Sequence, residues 1–395
     1  MAARNDDGTW VEGDGVFPVQ WLERAVADGW IGAGRSIPSE SLQPASLDLR
    51  LGERAYRLQC SFLPTGRPIE ERLKELSMGE LNLAEGEGIL ERDRPYLIPL
   101  EEELRLPPGV RARANPKSST GRLDVLTRVI TERGRGFDEI PEGYRGPLYL
   151  EVVPLSFTVR VRAGLALTQL RLIAGDARCT EQEVRELHAR TPLLYHRGRP
   201  VPDPDFRTTR DGGFFLGVDL GRPTEIATAY KARKNSQLLD MSRDDYAPRE
   251  FWDEIALDQE KLVLEPSEFY LLLSLESVRI PPGFAGDMSA YDPTNGELRT
   301  HYAGFFDPGF GHEGDVSQGA RAALEVRAHE VAFLIETGQP VAKLVLERMA
   351  EEPTRLYGGE IGSSYQGQVT TLSKHFLGRT DPRYRRGHQL RLGGA

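Results

Sequence analysis

Two cysteines, Cys60 and Cys179, are all that the 395 residues contain, and they lie far apart. Such a pair builds neither a disulfide framework nor a zinc cluster. The histidines (His188, His196, His301, His312, His329, His375 and His388) show no ligand spacing, so no metal site is expected. No apolar run approaches the roughly 20 residues that cross a bilayer. The opening residues Met1 to Gly8 lack the apolar stretch of a signal peptide. These absences point to the cytoplasm and away from a membrane partner. Positive charge is in deficit too: 50 Lys and Arg against 60 Asp and Glu leave a net charge of −10. That balance argues against a nucleic-acid partner, whose phosphates need a basic surface. It still allows a local basic pocket for one small anion. No Gly-x-x-x-x-Gly-Lys pattern occurs, so no P-loop is implied.

What the chain does contain is turn residues, 41 Gly and 27 Pro, between short apolar runs. Residues 18–31 have helical spacing up to Gly29. Pro44 to Gly52 alternates apolar and polar, as a strand does. Further strand-like runs lie at Gly88–Leu90, Tyr96–Pro99, Val110–Ala114, Leu148–Val153, Phe157–Val161 and Leu165–Leu172. The pattern predicts a mainly β protein, barrel or sandwich, with few short helices. Cys179–Arg190 reads as a helix capped by Thr180, with Glu183 as reciprocal partner. Arg197 to Asp205 reads as a proline-rich connector. Trp21, Trp30 and Trp252 read as core or interface anchors. Asp240 to Glu254 reads as an irregular, partly helical insertion.

Beyond the connector the pattern repeats. Tyr96 to Gly109 and Tyr270 to Gly283 both close with Arg, an apolar residue and Pro-Pro-Gly. Leu150-Glu151-Val152 has its echo in Leu324-Glu325-Val326. Both matches share one offset (283 − 109 = 325 − 151 = 174). Two copies of one β unit follow, divided as residues 1–175, a connector at 176–205, and 206–395.

Donors concentrate at Lys117-Ser118-Ser119-Thr120-Gly121-Arg122, after a run in which Arg111 and Arg113 share one strand face. Such a set suits a polyanion, most commonly phosphate. Glu151 lies on an apolar run, where a carboxylate needs a reason. It reads either as a general base beside those donors or as a salt-bridged Glu. At the shared offset Asp292 replaces Ser118 and Gly296 replaces Arg122, so Glu325 is expected to lack such partners. On that reading the first copy holds the chemistry and the second keeps only the fold.

These motifs, with Pro44 to Gly52, resemble the dCTP deaminases of the dUTPase-like superfamily, in their double-length bacterial form. The resemblance implies two tandem dUTPase-like domains of β-barrel or jelly-roll type. It implies Glu151, Ser118 and Arg122 as catalytic residues. Lys117, Ser119, Arg111, Thr131, Tyr149, Tyr357, Tyr365 and Gln368 would contact substrate. Arg133 to Gly136 would be a loop insertion near the site. Tyr357 and the run Ser364 to Gln368 resemble the family's phosphate-covering tail, with Ser364 where a Lys is usual. Lys374, Arg379, Arg383, Arg385 or Arg386 could supply that charge. The second copy would thus lend a lid to a site carried by the first.

The implied reaction is hydrolysis of dCTP to dUTP and ammonia, feeding dUMP and dTTP synthesis, without zinc. The zinc route needs a Pro-Cys-x-x-Cys signature that is missing here. Glu151 would activate water, Ser118 would hold it, and Arg122 would stabilise charge. Magnesium would arrive on the substrate triphosphate, dTTP is a candidate inhibitor, and a homo-oligomer is expected. Two rivals stand beside this reading. Tyr144-Arg145-Gly146 resembles a dUTP diphosphohydrolase motif, but Pro141 stands where its water-activating Asp belongs, with only Asp138, Glu139 or Glu142 nearby. A bifunctional enzyme making dUMP shares that difficulty. A nucleotide-binding regulator without activity is the other rival.

Overall fold

The computed structural model describes residues 13–377 except 87, 222–228, 258–259, 290–297, 301–303, 313–317, 329, 359–364 and 366–370, together with residues 3–4 and 10–11. The chain is mainly β, as its alternation predicts. In the first half, strand Tyr96–Arg105 lies between Arg54–Leu58 and Arg145–Pro154, and the latter pairs on with Val125–Thr131. A second sheet joins Val110–Pro116 to Ala166–Ala174, which also takes Leu47–Arg50. Among the described residues no sheet closes into a barrel. Leu47, Leu49, Ile98, Leu150, Leu170 and Leu172 fill the space between the layers. The first helix stops at Ala27, because Gly29 takes φ +75°, which suits glycine and ends the helical path. Among the described residues no helix is long and apolar enough to cross a membrane.

The repeat survives in the strand register. Ile89 faces Arg160 in the ribbon of Gly88–Leu90 and Val159–Val161. Val263 faces Leu334 in the ribbon of Lys261–Leu264 and Phe333–Glu336, both displaced by the same step (263 − 89 = 334 − 160 = 174). Glu151 lies opposite Leu97, and Glu325 opposite Leu271, on strand Ala320–Ala328. Residues 176–205 are more than a connector. Thr180 and Glu183 form the anticipated capping box on helix Glu181–Arg190. Cys179, Val184, Leu193 and Leu194 are buried in the second core, and Leu194–His196 pairs with Phe269–Val278. Proline-rich composition at 197–205 masked this apolar contribution.

The halves are interlocked. Tyr230, Leu239, Tyr246, Phe251, Trp252, Leu372 and Phe376 of the second half complete the first core. Phe157 meets Phe251 and Trp252 edge-on, with ring centroids 5.5 and 5.3 Å apart. The insertion anticipated at 240–254 supplies much of this, and strand Leu239–Asp240 runs parallel to Val159–Val161.

A buried ionic cluster fastens the junction. Arg113 and Arg171 are cross-strand neighbours in the first half. Like charges so placed repel, and carboxylates of the second half neutralise them. Arg113 binds Glu347 at 2.8 Å and Asp287 at 3.1 Å. Arg171, wholly buried, reaches Asp307 at 3.2 Å and donates to the carbonyls of Gly286 (2.8 Å) and Phe306 (3.0 Å). Its guanidinium lies 3.9 Å from the Phe305 ring centre. Removing one member leaves charges buried without compensation. Arg171→Ala is therefore expected to destabilise the chain by about 3–5 kcal/mol; a urea-unfolding midpoint unchanged from the parent would contradict this.

Candidate active site

The donor-rich segment folds where it can face the second half. Pro116 ends the strand Val110–Pro116, Lys117 has extended backbone, and Ser118–Gly121 makes one helical turn. Residues four apart on such a turn are neighbours, and Arg122 Nε donates to Ser118 Oγ at 3.1 Å. Lys117 is paired with Asp48 of the strand Leu47–Arg50. Pro116, Lys117, Ser118, Gly121 and Arg122 form one wall of a pocket. The other wall belongs to the second half: Met288, strand Gly304–Phe306, Asp307, Phe310, Ala322, Ala323 and Glu325, with Tyr357 and Tyr365.

The carboxylate that meets Arg122 is therefore Glu325. A Cβ built on Gly121 would lie 2.5 Å from Glu325 Oε2, so only glycine leaves room for that approach. Glu325 is buried. Desolvation pushes its carboxyl up to about 8, against the pull of Arg122, and Asp124 adds to the rise. Burial likewise raises Asp307, with Arg171 opposing, and raises Asp48, with Lys117 opposing. The Tyr357 phenol is also raised, by burial first and then by Asp307.

The tail closes over this wall. Arg122 Nη1 donates to the carbonyls of Thr371 and Leu372, each at 3.3 Å, and its guanidinium sits 3.8 Å from the Tyr365 ring centre. Ser373 Oγ donates to the Ser119 carbonyl at 3.0 Å. Tyr365 N donates to the Tyr357 hydroxyl, and Lys374 N to the Tyr365 hydroxyl, both at 3.2 Å. The Lys374 side chain lies within electrostatic reach of Lys117 and Asp48.

Ser118, Arg122, Lys117, Tyr357 and Tyr365 thus converge on the pocket, and buried Ser119 backs it. Glu151 does not face it, which corrects the sequence reading. Its Oε1 is held by Arg128, directly opposite on strand Val125–Thr131, through Nε at 2.9 Å and through Nη2. Three residue steps separate Val125 from Arg128, so Glu151 lies about 10 Å up the strand from its Arg122 end. The plainer alternative, a salt-bridged carboxylate, is what the structure shows. Thr131 and Tyr149 go with it: they pair with Leu148 and Ile130 in that same sheet, away from the pocket wall. Arg111 faces Ile173 near the start of its strand and is also outside the wall. Gln368, Ser364, Asp292, Gly296, Arg379, Arg383, Arg385 and Arg386 lie outside the described residues.

Sequence reasoning missed Phe305, Phe306, Asp307 and Phe310, and it left Glu325 without the partners that the pocket gives it. One signal was available: a Glu kept on an apolar strand without partners in its own copy needs partners from the other.

Comparison with known proteins accounts for both halves. Residues 13–176 match the family described as 2'-deoxycytidine 5'-triphosphate deaminase (DCD) N-terminal domain, and residues 180–376 match its C-terminal domain. A protein of Corynebacterium efficiens named "dCTP deaminase, dUMP-forming" is 31% identical over 194 residues, 45% of this chain and 94% of that one. A "dCTP deaminase" of Halorubrum lacusprofundi is 29% identical over 133 residues, 33% of this chain and 63% of that one, just under two thirds of its length. The crystal structure of 2'-deoxycytidine 5'-triphosphate deaminase from Agrobacterium tumefaciens superposes with a TM-score of 0.79 at 39% identity, covering 86% of this chain and 100% of that one. With both domain families matched in order over most of its length, this chain belongs to the dCTP deaminase family.

Proposed function

We propose that this chain deaminates dCTP hydrolytically in the pocket between its halves, with Glu325 as the general base. The observation that carries this reading is the buried Glu325 carboxyl set against Arg122 and the Ser118 turn. A carboxyl tuned towards neutrality can take a proton and return it within one cycle. Water held by Ser118 Oγ loses a proton to Glu325 as its oxygen attacks C4 of the cytosine. Glu325 delivers that proton to the ring nitrogen N3, and transfer of the new C4 hydroxyl proton to the exocyclic amine lets ammonia leave as C4=O forms. Arg122 stabilises the charge that develops and keeps the carboxylate oriented. Lys117, Lys374 and the tyrosines of the tail hold the triphosphate with its magnesium. Phe305 and Phe306 make an apolar wall suited to a base.

We further propose dUTP as the product. Breaking a phosphoanhydride needs a second free base, and Asp48 and Asp307 are already tied to Lys117 and Arg171. The alternative, dUMP, is favoured by the name of the Corynebacterium relative.

Glu325→Gln is expected to lower turnover by roughly 10²–10⁴-fold, while Glu151→Gln stays within a few-fold of the parent. Steady-state kinetics with dCTP and an ammonia assay decide it; the reverse pattern would restore Glu151 as the base. Chromatography of the same reactions checks the product, with dUTP accumulating before any dUMP. Stability should report Glu325 as well. Its folded pKa lies above the unfolded value, so the protonated form favours the folded state. That contribution is complete at low pH, near and below the ordinary carboxyl range, and is lost as pH rises through about 8. The melting temperature of ligand-free protein should thus fall from about pH 5 to about pH 8 and level off above, and Glu325→Gln should flatten the fall.

A further inference from the structure

Asp124 occupies a position that L-residues avoid. Its φ is +56°, and its carboxylate is wholly buried. Glycine would take that backbone without strain, so the acid is there for its side chain. One oxygen accepts Ser156 Oγ at 2.5 Å and is also paired with Arg327. Asp124 N closes onto the Gly121 carbonyl at 2.8 Å, and Asp124 O accepts from Leu155 N at 2.9 Å. The turn that carries Arg122 is thus pinned at its exit.

Arg327 stands two residues after Glu325 on strand Ala320–Ala328, and side chains two apart share a face. Its Nη1 also donates to the Ser267 carbonyl at 2.5 Å, while Nε is buried without a hydrogen-bond partner. The ion pair therefore connects the two elements whose separation sets the distance between Arg122 and Glu325. It is specific to this junction. At the repeat offset Arg327 corresponds to Val153 and Asp124 to Leu298, so the Glu151 side has no such pair (327 − 153 = 298 − 124 = 174).

We propose that Asp124 and Arg327 form a positioning pair that holds the Arg122 turn at working distance from Glu325. This rests on Glu325 as the base. The pair touches no reacting atom; it acts through the two groups that do. Charged and titratable groups around Glu325 are Arg122 and Asp124 from the turn, Lys117 and Asp48 at the mouth, Asp307, Tyr357 and Tyr365 on the far wall, and Arg327 on its own strand. Of these, Asp124 is the acid whose charge reaches Glu325.

The test is a double-mutant cycle in kcat for dCTP deamination. Asp124→Asn keeps a residue that tolerates positive φ and removes the charge, and Arg327→Gln removes the other partner. Each should lower kcat about 10- to 100-fold, as misplacement of reacting groups does, with KM within about threefold. The double variant should be no worse than the weaker single, and Arg327→Lys should recover part of the loss. In Asp124→Asn the acidic limb of the kcat/KM profile should move to lower pH, a change that a purely structural pair would not produce. If a single variant fails to fold, Asp124→Asn with Arg327→Met, which leaves no unpaired buried charge, is read in its place and should show the same loss of kcat. Turnover within twofold of the parent, or losses that multiply in the double variant, would overturn the proposal. Glu325→Gln run alongside separates the two ideas: normal turnover there sinks the base itself, whereas an inactive Glu325→Gln beside unaffected pair variants sinks only the pair.

Discussion

Two arginines lie side by side across strands of the first half, and the buried carboxylates that ion-pair with them come from the second. Arg113 and Arg171 pair with Asp287, Asp307 and Glu347 across the junction, and each group is compensated in the dry interior only while its partner from the other half is in place. The same arginine that docks the halves also grips the Phe306 carbonyl and Asp307, which are pocket wall. Docking and pocket formation are therefore one event. Rigid placement of this kind is what an electrostatic site requires, since donors must already be aimed before charge appears.

The fused repeat explains why only one carboxylate of two meets its arginine. Each copy carries a strand with a Glu at the same register, opposite Leu97 or Leu271. In the second copy that strand faces the Ser118–Arg122 turn. In the first, Arg128 has taken the carboxylate into an ordinary ion pair, with its guanidinium stacked 3.9 Å from the Phe137 ring centre. Environment, more than residue type, sets these two equivalent carboxyls apart.

Much of this architecture was legible in the residues. The alternation of Tyr96–Arg105 and of Leu47–Arg50, the Thr180 cap and each of the motifs that recur 174 residues apart are local properties, and local periodicity survives packing. Ser118 and Arg122 were legible as well, because a four-residue spacing on one turn needs nothing from elsewhere. The choice between Glu151 and Glu325 was not. A repeat offset says that two residues are equivalent within their copies, but which face of one copy meets the other depends on contacts such as Arg113–Glu347, 234 residues apart. Residues 176–205 misled for a related reason: proline content is visible locally, whereas the burial of Leu193 and Leu194 depends on strands far along the chain.

The apolar plug made by Leu372 and Phe376 has a temporal meaning. These side chains complete the core of the first half together with Phe251 and Trp252. Synthesis delivers the first half long before they exist, so that half must wait on the ribosome with apolar surface uncovered. Its core is complete only once Phe376 has emerged, which ties final compaction of the first copy to synthesis of the second.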